Sequence, residues 1–457
     1  MNRVRVSIGI AMATVVAILG GLVVQSKDQP VVGAEPLPLI AKPAPAQGEA
    51  LVAGSVGCTA AACHGGPVNG TVPRSAWASA EADAQRWRSS ATIWKCYDPH
   101  SRAFGILGND LSIQIEGRLA KPGEKPIDAR QDVRCLACHA NPTLANQSPH
   151  PSHTEGVNCE SCHGNASKWQ AEHAGWQTGA THQRQLLRAE MTNLSDPAVR
   201  VETCAGCHVG APATDGTALR DMNHDLIAAG HPRLNFDYAT YLRALPPHWA
   251  EKNRDVSPIV FRPVSDAYRH WLVGCAATTA ARHRLLADRA NRGPWPELAE
   301  FDCYACHRGL DGRRAGSGEL VWNEPLLKAR LAGFDDADLL AAMRRSNDSK
   351  TIRQAADRIS ESWRDAANKW ARQPLASATV AAALADVNPS RWDQACHLYY
   401  ALLAFDSVDR REPDPRLNAI RNALRIPNQV NGVRVDTPRP FEAGSLPFSS
   451  LFRERSQ

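Results

Sequence analysis

The sequence predicts a mainly α-helical chain in two parts: short helices joined by long irregular connections over residues 54–310, then a helical accessory domain over 311–426. Three observations lead there. C-L-A-C-H, C-E-S-C-H, C-A-G-C-H and C-Y-A-C-H recur at Cys135/Cys138/His139, Cys159/Cys162/His163, Cys204/Cys207/His208 and, for the fourth, at Cys303, Cys306 and His307. Apolar residues return at helical spacing over residues 266–290 and in several segments after Gly309. No run alternates apolar and polar residues cleanly, so strands should be no more than local pairs of two or three residues.

Two cysteines three apart followed at once by histidine form the attachment signature of c-type haem. Each thiol makes a thioether with a porphyrin vinyl group, and the adjacent imidazole reaches the iron. With 13 Cys and 16 His in 457 residues, independent placement would give only about 0.01 such motifs. Structural zinc or disulfide pairing would not require the recurring histidine. A variant stands upstream in G-C-T-A-A-A-C-H-G-G, where four residues separate Cys58 from Cys63 before His64. Two extra residues can bulge without taking the thiols from the vinyl groups, so five covalently bound haem c are expected. A Cys58–Cys63 disulfide is the alternative. Gly65 and Gly66 then release the chain.

Only 43% of residues are hydrophobic, with 31 Gly and 31 Pro, so porphyrins can supply apolar volume that side chains do not. The formal charge is +5. Five haems, each with two propionates and one net positive charge at ferric iron, would add roughly five negative charges. The holoprotein is then near neutral, and no basic run carries interleaved aromatics, which argues against nucleic acid as a partner.

Arg3 and Arg5 precede an apolar run over residues 6–24. Residues 1–26 read as a signal anchor or a signal peptide; a run this long favours the anchor, and the basic flank leaves the rest of the chain on the periplasmic side. Residues 27–53, rich in Pro and Ala, read as a stiff linker.

Further along, residues 76–107 read as helix broken at Asp98-Pro99, with His100 just past the turn, placed either to face iron or to be an ordinary buried histidine. The motifs at Cys135 and Cys159 begin 24 residues apart, which makes their porphyrins close neighbours. A helix is expected from His182 towards Met191. His224 and His231 are seven apart, but Gly230 and Pro232 put His231 at or beyond a helix end. Helices are expected near 326–331, 339–343, 352–370, 375–385, 392–405 and 415–424, and an irregular tail over 427–457. Cys275, Cys396 and His397 read as packed helix residues.

Five proximal histidines leave eleven others, while only Met191 and Met222 lie among the haem segments. Axial ligation is therefore biased to bis-histidine, which lowers reduction potential relative to His/Met and leaves no open position for a substrate.

The segments C-T-A-A-A-C-H-G-G, D-P-H-S-R-A-F, C-L-A-C-H, G-V-N-C-E-S-C-H-G, D-M-N-H-D-L-I-A-A-G-H-P-R-L and F-D-C-Y-A-C-H resemble the cytochrome c554-like multihaem c-type cytochromes of planctomycete-type bacteria. The resemblance covers roughly residues 55–310. It implies closely stacked haem pairs and distal iron ligands at His100, His224, His231 and, with less support, His173, and it favours His153 over His150. No C-x-x-C-K of a catalytic nitrite reductase haem occurs, and Tyr399 and Tyr400 are weak counterparts of the tyrosine that hydroxylamine oxidoreductases link to porphyrin.

The leading expectation is a periplasmic multihaem electron carrier, tethered through its N-terminal segment. It would take electrons from a membrane quinol-linked complex or a dehydrogenase and pass them to a redox protein partner. One alternative is an oxidoreductase acting on a small nitrogen or sulfur compound at an open haem, with His182, His248 or Asp221 as proton donor. The other is a structural haem subunit of a larger complex. No catalytic residue is assigned.

Overall fold

The computed structural model describes residues 54–67, 86–147, 149–176, 180–246, 248, 264–293, 295–301, 348–389, 391–409, 414–424, 426 and 446–457. The N-terminal apolar run, the linker and the expected helices at 326–331 and 339–343 lie outside the described residues. So does the fourth motif, with its thiols Cys303 and Cys306 and its imidazole His307. The protein is mainly helical. Among the described residues the only β pairing is two isolated bridges, Ala211 with Arg220 and Thr214 with Thr217.

The first part is built of short helices: α1 Ser90–Tyr97, α2 Asp110–Leu119, α3 Val133–His139, α4 Cys159–His163, α5 Ala180–Arg188, α6 Pro197–His208, α7 His224–Ala228 and α8 Tyr238–Ala244. Asp98-Pro99 ends α1, as the sequence suggests: Asp98 takes an extended ψ of 124°, and the chain resumes as a 3-10 turn over Pro99–Arg102. Asx residues start most of the others. Asn109, Asp132, Asn158, Asp196, Asn223 and Asp237 each accept a backbone N–H of the first turn. The apolar clusters here are small. One joins Leu107, Ala129, Leu136, Ala137, Ala140, Ala145 and Ala218; another joins Ile115, Leu226 and Ala229.

The second part is centred on α9, Val264–Arg292, surrounded by α6, α8, α10 (Ser349–Arg372) and α12 (Trp392–Asp409). Because α9 has neighbours on several sides, it buries residues all round: Trp271, Leu272, Val273, Cys275, Ala276, Ala277, Thr278, Ala281 and Leu285. By contrast, α10 is amphipathic, burying Ile352, Ala355, Ala356, Ile359 and Trp363 at spacings of three and four. Gly274 lies where α8 crosses α9; a Cβ there would stand 2.8 Å from the Tyr238 side chain. Ser360 Oγ donates to the Ala280 carbonyl at 2.8 Å, locking α10 to α9. One apolar core runs from Ala198 to Phe452.

The tail differs from expectation. Residues 448–456 form α14, Phe448–Ser456, which packs on α11, Ser377–Ala385, and buries Phe448, Leu451 and Phe452. This nine-residue apolar face is too short for its periodicity to stand out in the Pro-rich segment before it. Arg416 of α13, Pro415–Ala423, holds Glu454.

Candidate haem-binding site

Three described motifs share one local construction. On a helix, residues i, i+3 and i+4 fall on one face, so both thiols and the imidazole of C-x-x-C-H point the same way. In α3, α4 and α6 the motif histidine is the last helical residue. The Cys58 motif is different: Cys58 ends a 3-10 turn over Ser55–Cys58, and Cys63 and His64 follow in a turn. Cys58 and Cys63 are both free thiols, so the expected alternative of a disulfide is not formed. Because Cys303, Cys306 and His307 lie outside the described residues, the fifth expected haem site rests on its C-Y-A-C-H sequence alone. Among the described residues, no cluster of three metal-binding side chains suits a bare ion.

Two carboxylates, buried Glu160 and half-buried Glu155, fasten the Cys58 loop to α4. Glu160 accepts from Gly54 N and Ala166 N, each at 2.8 Å, and Glu155 accepts from Ser55 N and Asn158 Nδ2, each at 2.9 Å. As a result the Cys58 and Cys159 thiols lie within hydrogen-bond reach of each other. Cys138 and Cys207 form a second such pair, beside the Arg220 guanidinium. Cys162 lies within electrostatic reach of Cys204 and Cys207. Gly156 makes the approach of α4 possible: its φ is +74°, a Cβ would lie 2.5 Å from the His100 carbonyl, and Val157 N donates to that carbonyl at 3.0 Å.

The motif histidines meet distant histidines in three ring pairs. His64 and His173 have centroids 6.1 Å apart, with planes at 16°. His208 and His100 are 6.0 Å apart at 75°, and His139 and His231 are 6.3 Å apart at 75°. Two imidazoles sharing one axial metal stand roughly 6 Å apart, with about 2 Å for each metal–nitrogen bond and about 1 Å from nitrogen to ring centre.

The Nδ1 contacts agree. His139 Nδ1 bonds the Ala103 carbonyl at 3.0 Å, His173 Nδ1 that of Gln170 at 2.6 Å, and His231 Nδ1 that of Pro232 at 2.8 Å. His64 Nδ1 meets Ser90 Oγ at 3.1 Å, and His100 Nδ1 meets Asp98 Oδ1 at 2.9 Å. Committing Nδ1 leaves Nε2 as the ligating atom and fixes the tautomer.

Burial holds these imidazoles in their neutral, ligating form. His208 is pushed down to about 3 by burial and then by His100 and His139; His163 falls to about 4 by burial and then by His248 and His64. His139 and His231 are lowered by burial as well. His100 goes the other way: burial opposes its charge, but the bond to Asp98 and the carboxylate's charge raise it.

The other histidines are placed differently. His153 is buried, but its Nε2 meets the Leu144 carbonyl at 3.1 Å and its ring lies against Phe104 and His150. His224 opens α7, with its backbone N–H bonded to Glu297 Oε1 at 2.9 Å, shortly before the Cys303 motif. His248, which the sequence offered only as a spare proton donor, is the first histidine to act on His163. No local signal marks it, because only the fold brings residue 248 to α4.

The residues fit covalent haem. All six thiols of α3, α4 and α6 keep partial exposure, while Leu136, Ala137 and Ala205 between them are fully buried. His163 Nδ1 is buried with no hydrogen-bond partner.

Residues 83–164 match the family of cytochrome c554 and c-prime. That match supports a c-type cytochrome, with covalently bound haem c and a role in electron transfer. It includes His100, His153 and the Cys135 and Cys159 motifs. No curated protein and no solved structure matches the chain. Among the described residues no helix is long and apolar enough to cross a membrane; the run at 6–24 is not among them.

Proposed function

We propose that this chain is a five-haem c-type cytochrome that carries electrons on the periplasmic side of the membrane, tethered there by residues 6–24, between a membrane or periplasmic donor and a redox protein partner. The observation that carries this reading is the set of three ring pairs, each joining a motif histidine to a remote one at 6.0–6.3 Å. Bound haem c supplies a one-electron couple.

The chain's residues do the rest. The paired cysteines Cys58/Cys63, Cys135/Cys138, Cys159/Cys162 and Cys204/Cys207, with Cys303 and Cys306, anchor the porphyrins. His64 with His173, His139 with His231 and His208 with His100 would each hold one iron as a histidine pair, which would exclude substrates and let the charge change without movement of the ligands. His248 is the first histidine to act electrostatically on His163, which makes it the proposed second ligand there; His153 is not proposed as a ligand, because its Nε2 meets the Leu144 carbonyl. His307 is proposed as the fifth proximal ligand; His224, near the chain leading to it, is its proposed distal partner. The Cys58–Cys159 and Cys138–Cys207 pairs, with Cys162 in electrostatic reach of Cys204 and Cys207, support a spatial order of 58, 159, 204 and 135, which is not the order of the sequence.

A pyridine haemochrome count with an EPR spectrum of the haem-loaded protein tests the reading. Five haems, all low-spin and unresponsive to cyanide, are expected. The parallel His64/His173 planes should give a rhombic low-spin signal, and the two crossed pairs strongly anisotropic ones. A count of four would remove either the Cys58 site or that of Cys303 and Cys306, and Cys63→Ala or Cys306→Ala, lowering the count further or not, tells which. A cyanide-sensitive high-spin signal would replace the carrier with an enzyme.

A further inference from the structure

Among the paired histidines with a resolved Nδ1 partner, four meet neutral oxygens: backbone carbonyls for His139, His173 and His231 and a hydroxyl for His64. His100 alone meets a carboxylate, Asp98 Oδ1, at 2.9 Å. Asp98 is only 3% exposed. The same oxygen accepts the His100 backbone N–H at 2.9 Å, so the pair is held in a two-residue Asx turn against rotation of either partner. Ser101 Oγ braces the turn by donating to the Asp98 carbonyl at 2.8 Å. The carboxylate is also within electrostatic reach of Cys162 and His248.

We propose that Asp98 is the positioning residue that sets the potential of the haem on Cys204/Cys207, through His100. This rests on the assignment of His100 and His208 as that haem's axial pair. A carboxylate on Nδ1–H draws the proton towards itself and makes Nε2 a stronger donor. A stronger donor, with a nearby negative charge, favours the ferric state and lowers the reduction potential. The electron added on reduction stays at the iron and the proton stays shared between Nδ1 and Oδ1. In the order 58, 159, 204, 135 this haem is internal. Electrons crossing the row therefore meet a low-potential step inside it, not at either end.

The test is a spectropotentiometric titration of the full haem-loaded protein, followed by EPR, on the unaltered chain, Asp98→Asn, Asp98→Glu and His100→Ala. In His100→Ala one low-spin signal should become high-spin, which identifies the haem; if none does, the ligand assignment fails, and the proposal with it. With that haem identified, it should titrate below the haems of Cys58, Cys135 and Cys159 in the unaltered protein. Asp98→Asn should raise that potential while leaving the haem low-spin, and Asp98→Glu should keep it low. An unchanged potential in low-spin Asp98→Asn overturns the proposal. So does conversion of that variant to high spin, which would make Asp98 only a brace for the ring. Should Asp98→Asn not accumulate, the rank of this haem in the unaltered protein decides alone: any haem of the other three below it contradicts the account.

Discussion

The described residues within 86–231 and within 349–457 are both mainly helical, yet they are ordered by different means. The second region carries a continuous apolar core in which Ile352, Trp363, Val380, Leu402, Phe448 and Phe452 are almost wholly buried. Each such side chain contributes about 1.5–3 kcal/mol by burial. Apart from α6, whose Ala198, Val201 and Ala205 join that core, the first region has only small clusters, largely of alanine. It is held instead by Asx caps, carboxylate staples at Glu155 and Glu160, and chain crossings at Gly156. Its half-buried thiols and imidazoles face inward onto one another. The difference teaches that a chain expecting large covalently bound aromatic groups need not encode a core of its own there, only the rim that receives them.

The comparison can be broken most sharply by withholding haem. Expressed without haem attachment, the chain should lose protease resistance across 86–195 while fragments containing α9, α10 and α12 survive; equal digestion of both would refute the contrast. Conversely, Trp363→Ala should remove about 3–5 kcal/mol from the helical region, seen as a lower Tm, with the haem spectrum unchanged.

Next in size is ligation. His231→Ala should turn one haem high-spin while shifting Tm less than Trp363→Ala, because the ring is only half-buried. Acid sharpens the contrast further. Burial pushes His283 down to about 4 and His397 to about 3 from an ordinary value of 6.5. Below 6.5 the unfolded chain takes up protons that the folded core refuses, so stability falls as pH falls through that window, by about 1 kcal/mol per unit for each histidine. Urea titrations from pH 7 to pH 4.5 should show this loss for the helical region. The smallest effect belongs to His153→Ala, which should cost about 1 kcal/mol for its bond to Leu144 and leave every haem low-spin; a high-spin signal there would restore His153 as a ligand.

Much of this was legible in the sequence where the signal is local. The C-x-x-C-H spacing, the break at Asp98-Pro99 and the periodicity of α9, α10 and α12 all depend on residues within a few turns of each other. The long-range facts were not. Eleven histidines could serve five irons, and nothing local says that residue 173 meets residue 64 or that residue 248 approaches residue 163, since those distances are set by loops fastened at Glu155, Glu160 and Arg118. His153 sits in the segment where the resemblance puts a ligand, but its Nε2 is bonded to a carbonyl, and only coordinates reveal which nitrogen is committed. Asp98 was visible as the residue two before His100, a spacing that an Asx turn exploits. The sequence marks it only as a helix breaker, whereas the fold also has it hold the imidazole.

The most direct measurement is iron anomalous diffraction from crystals of the haem-loaded protein. The account predicts iron between His64 and His173, between His139 and His231, and between His208 and His100, with the four irons of the described motifs in the order 58, 159, 204, 135. Iron at His208 with His100 turned away, or a row in sequence order, would contradict it.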